Sequence, residues 1–285
     1  MPFFNRIAIL GPGLLGASLG MAIRKREISK SIRVWARKQS SLQKCKEEVW
    51  CDEISSSLEE AVNACDLVVV CTPIKHIEET LRKIIPKCSE DTIITDVGSV
   101  KGSICKVAKE SSSGKRTCFI GSHPMAGSEK SGMENANAEL FENRTCMITP
   151  YPEDSIVEIE KLESFWRLLG MQVHRETPKD HDSIVSSISH LPHLIASSLA
   201  DHLASCPASW LEMAGQGFKD TTRIAQGDPA LWCEIMKSNR ENLCDSLDQW
   251  QKSVDEVRSL LHAEKWDNLT QYLSGAAEHR KKIKS

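Results

Sequence analysis

The run "RIAILGPGLLGASLGMAIRKR" at residues 6–26 limits the fold of this chain more than any other stretch. Its first five residues form a β-type apolar run. "GPGLLG" (11–16) then fits G-x-G-x-x-G, and an apolar-periodic segment suited to a helix follows. Strand, glycine turn and helix in that order are the context in which this motif binds a dinucleotide. Gly11 permits the tight turn, Gly13 removes a side chain where the backbone must approach a pyrophosphate, and Gly16 lets helix and strand pack closely. Leu14 and Leu15 open the helix, whose free N–H groups and positive dipole end would face the phosphates. A glycine-rich turn serving another ligand is the plainer alternative.

The same alternation continues downstream. "SIRVWA", "DLVVVCTP", "DTIITDVGSV", "TCFIGSHP", "NRTCMITP" and "MQVHRET" read as strands, and "SLEEAVNAC", "IKHIEETLRKIIPKC" and "KGSICKVAKE" as helices between them. Nearly all-apolar strands separated by helices predict a mostly parallel sheet covered on both faces, a doubly wound Rossmann-type α/β domain. After about residue 177 the pattern is helical throughout. The expected organisation is a dinucleotide-binding domain over 1–177 and an all-α domain over 178–285.

Composition narrows the function. A formal charge of −3 on 285 residues gives no electrostatic footprint for nucleic acid. No apolar run approaches the roughly 20 residues of a membrane span, and the N-terminal apolar segment reads as a buried first strand rather than a leader. The 11 cysteines are scattered without a C-x-x-C pair, which suggests reduced core thiols of a cytoplasmic protein.

The end of the second strand bears on the cofactor. An NAD site usually has Asp or Glu there, holding the ribose hydroxyls. This chain has "VWARKQSS", with Arg37, Lys38 and Ser40. A carboxylate would repel a 2′-phosphate, whereas a guanidinium can bind one through two parallel hydrogen bonds. The expectation is NADP rather than NAD; solvated surface charges are the alternative. Thr72 and Pro73, closing the 66–73 strand, are counted among the cofactor contacts.

Ligands of open parallel sheets bind beyond the carboxyl ends of the strands. "DVGSVK" (96–101) and "GSHPMAGSEKSG" (121–132) end adjacent predicted strands, so Ser99 and His123 are expected to face one crevice. The helical half offers "SHLPH" with His190 and His193, and "FKDTTRIAQGDPALW" with Arg223 and Trp232. In this order, over nearly the whole chain, these motifs resemble the prephenate/arogenate dehydrogenase family of tyrosine biosynthesis. "GSHPMAGSE" together with "SHLPH" is far more specific than the glycine motif.

The resemblance implies a Rossmann domain followed by a helical domain, as in 6-phosphogluconate dehydrogenases, and a homodimer formed through the helices. It implies oxidative decarboxylation of prephenate or arogenate by hydride transfer to NADP, without a metal. The regulatory ACT domain and fused chorismate mutase of some relatives are not expected. His123 would be the general base, and Ser99 would hydrogen-bond it near the nicotinamide. Arg223 would bind the ring carboxylate, His190 the substrate, and Glu129 would lie near the site entrance. Trp232 and His193 would line the pocket.

Each residue also has a structural reading. Ser99 could cap the helix starting near Lys101. Arg223 could pair with Asp220 or Asp228, and Glu129 could be a solvated loop charge. His190 and His193 could be a zinc pair, but a third ligand is not evident. A β-hydroxyacid dehydrogenase, an imine reductase and a non-catalytic NADP-binding sensor are the alternative functions.

Overall fold

A computed structural model describes residues 2–112, 118–127 and 132–283. Strands and helices alternate from the start: β1 (Phe4–Leu10), α1 (Leu14–Lys25), β2 (Ser29–Trp35), α2 (Gln39–Lys46), β3 (Glu53–Ser55), α3 (Leu58–Val62), β4 (Leu67–Val70), α4 (Ile74–Ile84), β5 (Ile93–Asp96), α5 (Gly102–Ser111) and β6 (Cys118–Phe119). The six strands form one parallel sheet in the order β3-β2-β1-β4-β5-β6. Strand order reverses between β1 and β4, which opens the crevice where such sheets bind ligands. The short β3 was not anticipated; its three residues "EIS" carry little apolar signal.

The apolar strands are explained by two cores. Leu67 and Val69 of β4 pack with Ile7 and Ile9 on one face, and Val68 and Val70 pack with Ala8 and Leu10 on the other. All eight side chains are fully buried. A strand with both faces covered has no polar position to alternate with. Each buried Val, Leu or Ile contributes roughly 1.5–3 kcal/mol relative to exposure.

The predicted single strand "TCFIGSHP" divides at Ile120. Its second part, β7 (Gly121–Pro124), joins β8 (Thr145–Thr149) and, after α6 (Ile156–Leu168), β9 (Gln172–Arg175) in a second sheet of order β7-β8-β9. β7 runs antiparallel to β8, and β8 runs parallel to β9. The Ile120 N–H still donates to the Ile94 carbonyl (3.0 Å). Beyond it, side chains replace the ladder. The Ser122 hydroxyl accepts from Thr95 Oγ1 (2.7 Å) and Trp166 Nε1 (3.0 Å), and the Ser122 N–H donates to Asp96 Oδ1 (3.2 Å).

The remaining elements are helices: α7 (Pro178–Val185), α8 (Leu191–His202), α9 (Ser209–Glu212), α10 (Gln216–Thr222), α11 (Pro229–Ser238), α12 (Arg240–His262) and α13 (Trp266–Lys282). Thr177 caps α7 by accepting from the Asp180 N–H (3.0 Å), and Asp228 caps α11 by accepting from the Ala230 N–H (2.9 Å). Each cap precedes a proline, whose missing N–H costs nothing at the first helical position. The chain divides into two compact units, Met1–Asn239 and Arg240–Ser285. In the second, α12 and α13 pack together and leave Trp250, Val254, Leu261, Trp266 and Leu273 exposed. No helix of the described residues is long and apolar enough to cross a membrane.

Candidate active site

The glycine loop lies after β1, beside the turn after β4. Gly11 has φ +106°, and a Cβ there would lie 2.8 Å from the Cys71 carbonyl oxygen. A Cβ on Gly16 would lie 2.1 Å from the Gly11 oxygen, so the helix could not sit this close with any side chain. At Gly13 a Cβ would meet no atom of the described residues within 4 Å beyond its chain neighbours. The space above the first turn of α1 is therefore open, with no side-chain cap and no acidic residue in that turn. Such a turn suits an anion.

Leu14 and Leu15 are half-buried in the same turn, and Pro73 stands at the N-terminus of α4. The Thr72 hydroxyl oxygen is buried with no hydrogen-bond partner among the described residues, which marks a place for a ligand atom. Open cradle, free helix start and orphaned hydroxyl fit a dinucleotide.

At the end of β2, Arg37, Lys38 and Ser40 are all exposed around the start of α2. Arg37 Nη1 lies 3.2 Å from His76 Nε2 on α4. Arg37 thus reaches from the end of β2 towards α4, at an exposed position.

His123 belongs to β7, just past the carboxyl ends of β5 and β6. It is 8% exposed, so it is a buried imidazole and not a surface loop residue. Its Nδ1 lies 2.9 Å from Nε2 of His181 on α7, and His181 Nδ1 lies 2.8 Å from Asp182 Oδ1. Burial first, and then the nearby Lys101 charge, holds the His123 pKa well below 6.5. A neutral imidazole at ordinary pH can accept a proton.

Ser99 lies half-buried between β5 and α5, and no hydrogen bond of the described residues joins it to His123. Nor does Ser99 cap α5. Asp182 does, accepting from the N–H groups of Lys101 (2.7 Å) and Gly102 (2.8 Å). A carboxylate bonds two adjacent N–H groups and carries the charge that a helix start favours.

Below this lies a fully buried ion pair, Lys101 Nζ with Asp96. Lys101 Nζ also donates to the Ser122 carbonyl (2.9 Å), and Asp96 Oδ2 accepts from the Gly98 N–H (2.8 Å). The pair ties the end of β5 and the start of α5 to the strand that carries His123.

On the helical side, His190 ends a single π-helical turn, Ser186–His190, inserted between α7 and α8. Pro192 has no N–H to give the Ile188 carbonyl, so the ladder shifts register there. His190 is 1% exposed. Its Nδ1 lies 3.2 Å from Asn239 Nδ2, which also donates to the Asp182 carbonyl (2.7 Å). Its Nε2 is buried without a partner among the described residues, as a ligand-binding atom would be.

His193 stacks on Trp232 with ring centroids 3.6 Å apart and 10° between planes, so these two rings form one wall. Arg223 is exposed in the turn Arg223–Gln226, which packs against α8. It makes no ion pair among the described residues. Asp220 accepts from Gln216 (2.7 Å) instead, and Asp228 caps α11. No single contact of the described residues joins His123 to Arg223. A run of contacts through His181, Asp182, Asn239, His190 and Trp232 leads from one to the turn that carries the other. Glu129 lies outside the described residues.

Burial lowers the His190 pKa from 6.5 to about 4. The unfolded chain therefore takes up this proton before the native protein does. The stability it confers is complete above 6.5 and is lost as pH falls through about 4. Urea midpoints are expected to drop over that range, and His190→Asn should flatten the drop; equal pH slopes in the two proteins would show that the residue does not contribute.

Sequence reasoning missed His181 and Asp182. "KDHDS" carries no spacing that links it to a histidine 58 residues earlier. Lys101 stood in a quoted motif without a role, because only the fold reveals its burial.

A parallel sheet with a glycine cradle at its switch point, and a buried imidazole at its rim, define a dinucleotide-dependent oxidoreductase. Residues 19–175 match the family model "Prephenate dehydrogenase, nucleotide-binding domain", and residues 177–275 match "Prephenate dehydrogenase, dimerization domain". The chain belongs to the prephenate dehydrogenase family and is a dehydrogenase with a nicotinamide dinucleotide cofactor.

It is 31% identical to the prephenate dehydrogenase of Bacillus subtilis over 97% of this chain and 75% of that protein. It superimposes with a TM-score of 0.89 on a prephenate dehydrogenase from A. aeolicus in complex with hydroxyphenyl propionate and NAD+, at 30% identity and 98% coverage of each chain. Synechocystis arogenate dehydrogenase gives a TM-score of 0.86 at 33% identity, over 97% of this chain and 99% of that one.

Proposed function

We propose that this protein oxidises and decarboxylates prephenate or arogenate with NADP, forming 4-hydroxyphenylpyruvate or tyrosine. The observation that carries the reading is His123, a buried imidazole kept neutral at the carboxyl rim of a dinucleotide-binding sheet. The bound oxidised nicotinamide supplies the hydride acceptor. His123 takes the proton of the substrate 4-hydroxyl as the carbinol carbon becomes a ketone. That ketone is an electron sink for the opposite ring carbon. The bond to its carboxylate breaks, carbon dioxide leaves and the ring becomes aromatic.

The exposed Arg223 guanidinium meets the ring carboxylate, and His190 Nε2, which has no partner among the described residues, meets the substrate. Ser99 stands near the nicotinamide, and Trp232 and His193 wall the pocket. Residues 1–177 hold the dinucleotide. Residues 178–285 complete the substrate site and pair two copies of this cytoplasmic chain, which the exposed apolar residues of α12 and α13 support. Steady-state assays of prephenate and arogenate, each with NAD and NADP, test the reading. No turnover of either acid refutes it.

NADP is favoured because β2 is followed by Arg37, Lys38 and Ser40 with no carboxylate among them. Replacing Arg37 by alanine is expected to weaken NADP binding by about 10- to 100-fold, the worth of a charge-assisted hydrogen-bond pair, and to leave NAD nearly unchanged. Titration of protein fluorescence with each cofactor measures this. Equal losses for both would remove Arg37 from the 2′-phosphate site.

A further inference from the structure

The line from His123 through His181 to Asp182 has a direction. Asp182 Oδ1 accepts the Lys101 N–H and Oδ2 the Gly102 N–H, at the first turn of a ten-residue helix. Burial alone would push its pKa up, but the bonds from His181 and from these two N–H groups outweigh that and hold it below the usual value. Asp182 is therefore a carboxylate, which has no proton to donate. The nitrogen facing it, His181 Nδ1, must carry the hydrogen of their 2.8 Å bond.

Burial keeps His181 neutral, against the pull of Asp182. A neutral imidazole with its hydrogen on Nδ1 has a bare Nε2. That Nε2 lies 2.9 Å from His123 Nδ1, so His123 Nδ1 donates and His123 Nε2 is left as the lone pair.

We infer that His181 and Asp182 are positioning residues for His123. Asp182 fixes the tautomer of His181, and His181 fixes that of His123, so that its outer nitrogen is always the base. This rests on the reading of His123 as the base. When His123 Nε2 accepts the substrate hydroxyl proton, the new imidazolium keeps its Nδ1 hydrogen bond to His181. The Asp182 carboxylate, one ring further on, offsets the charge. No covalent bond to carbon forms, and the proton later leaves from Nε2. Among the described residues, the other titratable groups beside the line are the buried pair Lys101 and Asp96, whose charges oppose each other, and His190, which burial keeps neutral.

Long-range 1H–15N spectra of the 15N-histidine-labelled full chain at neutral pH read the tautomers directly, with His123 assigned by the signals lost in His123→Gln. An unprotonated Nε2 on His123 is expected. A hydrogen on His123 Nε2 in the wild-type protein overturns the inference.

In Asp182→Asn the amide can donate to His181 Nδ1 and reverse the line. His123 should then carry its hydrogen on Nε2, and kcat should fall by about 10²- to 10⁴-fold, the range seen when a catalytic histidine is held in the wrong tautomer or lost as a base. KM should stay within about threefold, since the loss is confined to the transition state.

Because that change also disturbs the cap of α5, two further variants leave Asp182 in place. His181→Leu removes the acceptor at similar volume. His181→Gln puts an amide oxygen within reach of His123 Nδ1 and should turn over faster than His181→Leu. Wild-type rates in both, or equal losses in both with unchanged dinucleotide affinity, overturn the assignment. Failure of the underlying reading looks different: His123→Ala itself would keep its rate, whatever tautomer the spectra report.

Discussion

Replacing His123 by alanine is expected to lower kcat by about 10²- to 10⁴-fold, the contribution of a positioned general base. The affinity for the dinucleotide should not change, because the cradle of Gly11, Gly13 and Thr72 lies after β1 and β4 while His123 lies on β7. Rapid-reaction absorbance of the reduced cofactor gives kcat, and fluorescence titration gives the cofactor dissociation constant. Burial also fixes the pH behaviour. With the His123 pKa held well below 6.5, the base stays unprotonated as pH falls through 6.5, so kcat/KM should hold steady there. An acid limb centred at 6.5 or above would mean that another group is titrating. An unchanged rate in the alanine variant would remove His123 from the chemistry.

Lys101→Met is expected to produce the largest loss of stability. Lys101 and Asp96 are both 0% exposed, so the variant leaves a carboxylate in the interior without its counter-charge. Among the described residues, the Gly98 and Ser122 N–H groups remain to it, at 2.8 and 3.2 Å. Breaking a buried pair from one side costs about 3–5 kcal/mol. In a unit of this size that lowers the midpoint of thermal unfolding by roughly 10 °C. The double variant Asp96→Asn with Lys101→Met should recover part of the loss, since the orphaned charge is gone. Urea denaturation of the three proteins measures both effects. A midpoint for Lys101→Met equal to wild type would mean that water reaches Asp96.

The buried pair illustrates how the sequence and the fold share the determination of the site. In "DVGSVK" the residues five apart read only as a polar strand end and a helix start. They meet because the chain turns at Gly98 and Ser99 and folds Lys101 back beneath β7. The thiols were legible in part: Cys233 and Cys244 are exposed on the helices and are not core thiols. Cys45 and Cys65 lie buried in the apolar clusters, and desolvation pushes them up to about 12 and 11, so they pack rather than react. The break at Ile120 was not legible, because an apolar run with glycine in it reads the same whether it continues one sheet or leaves for another.

What the sequence by itself determined was local and periodic. The glycines at 11 and 16 set a turn and a close helix approach that other residues could not make. The runs through β1 and β4 set strands covered on both faces, and the prolines at 178 and 229 set helix starts. These follow from backbone sterics and from apolar pattern, which need no knowledge of what lies far along the chain. The tertiary structure alone decided which nitrogen of His123 is bonded, which residue caps α5, and that His190 Nδ1 meets Asn239. Each depends on side chains from distant segments meeting within hydrogen-bond distance. That meeting is set by packing, and no spacing in the chain encodes it.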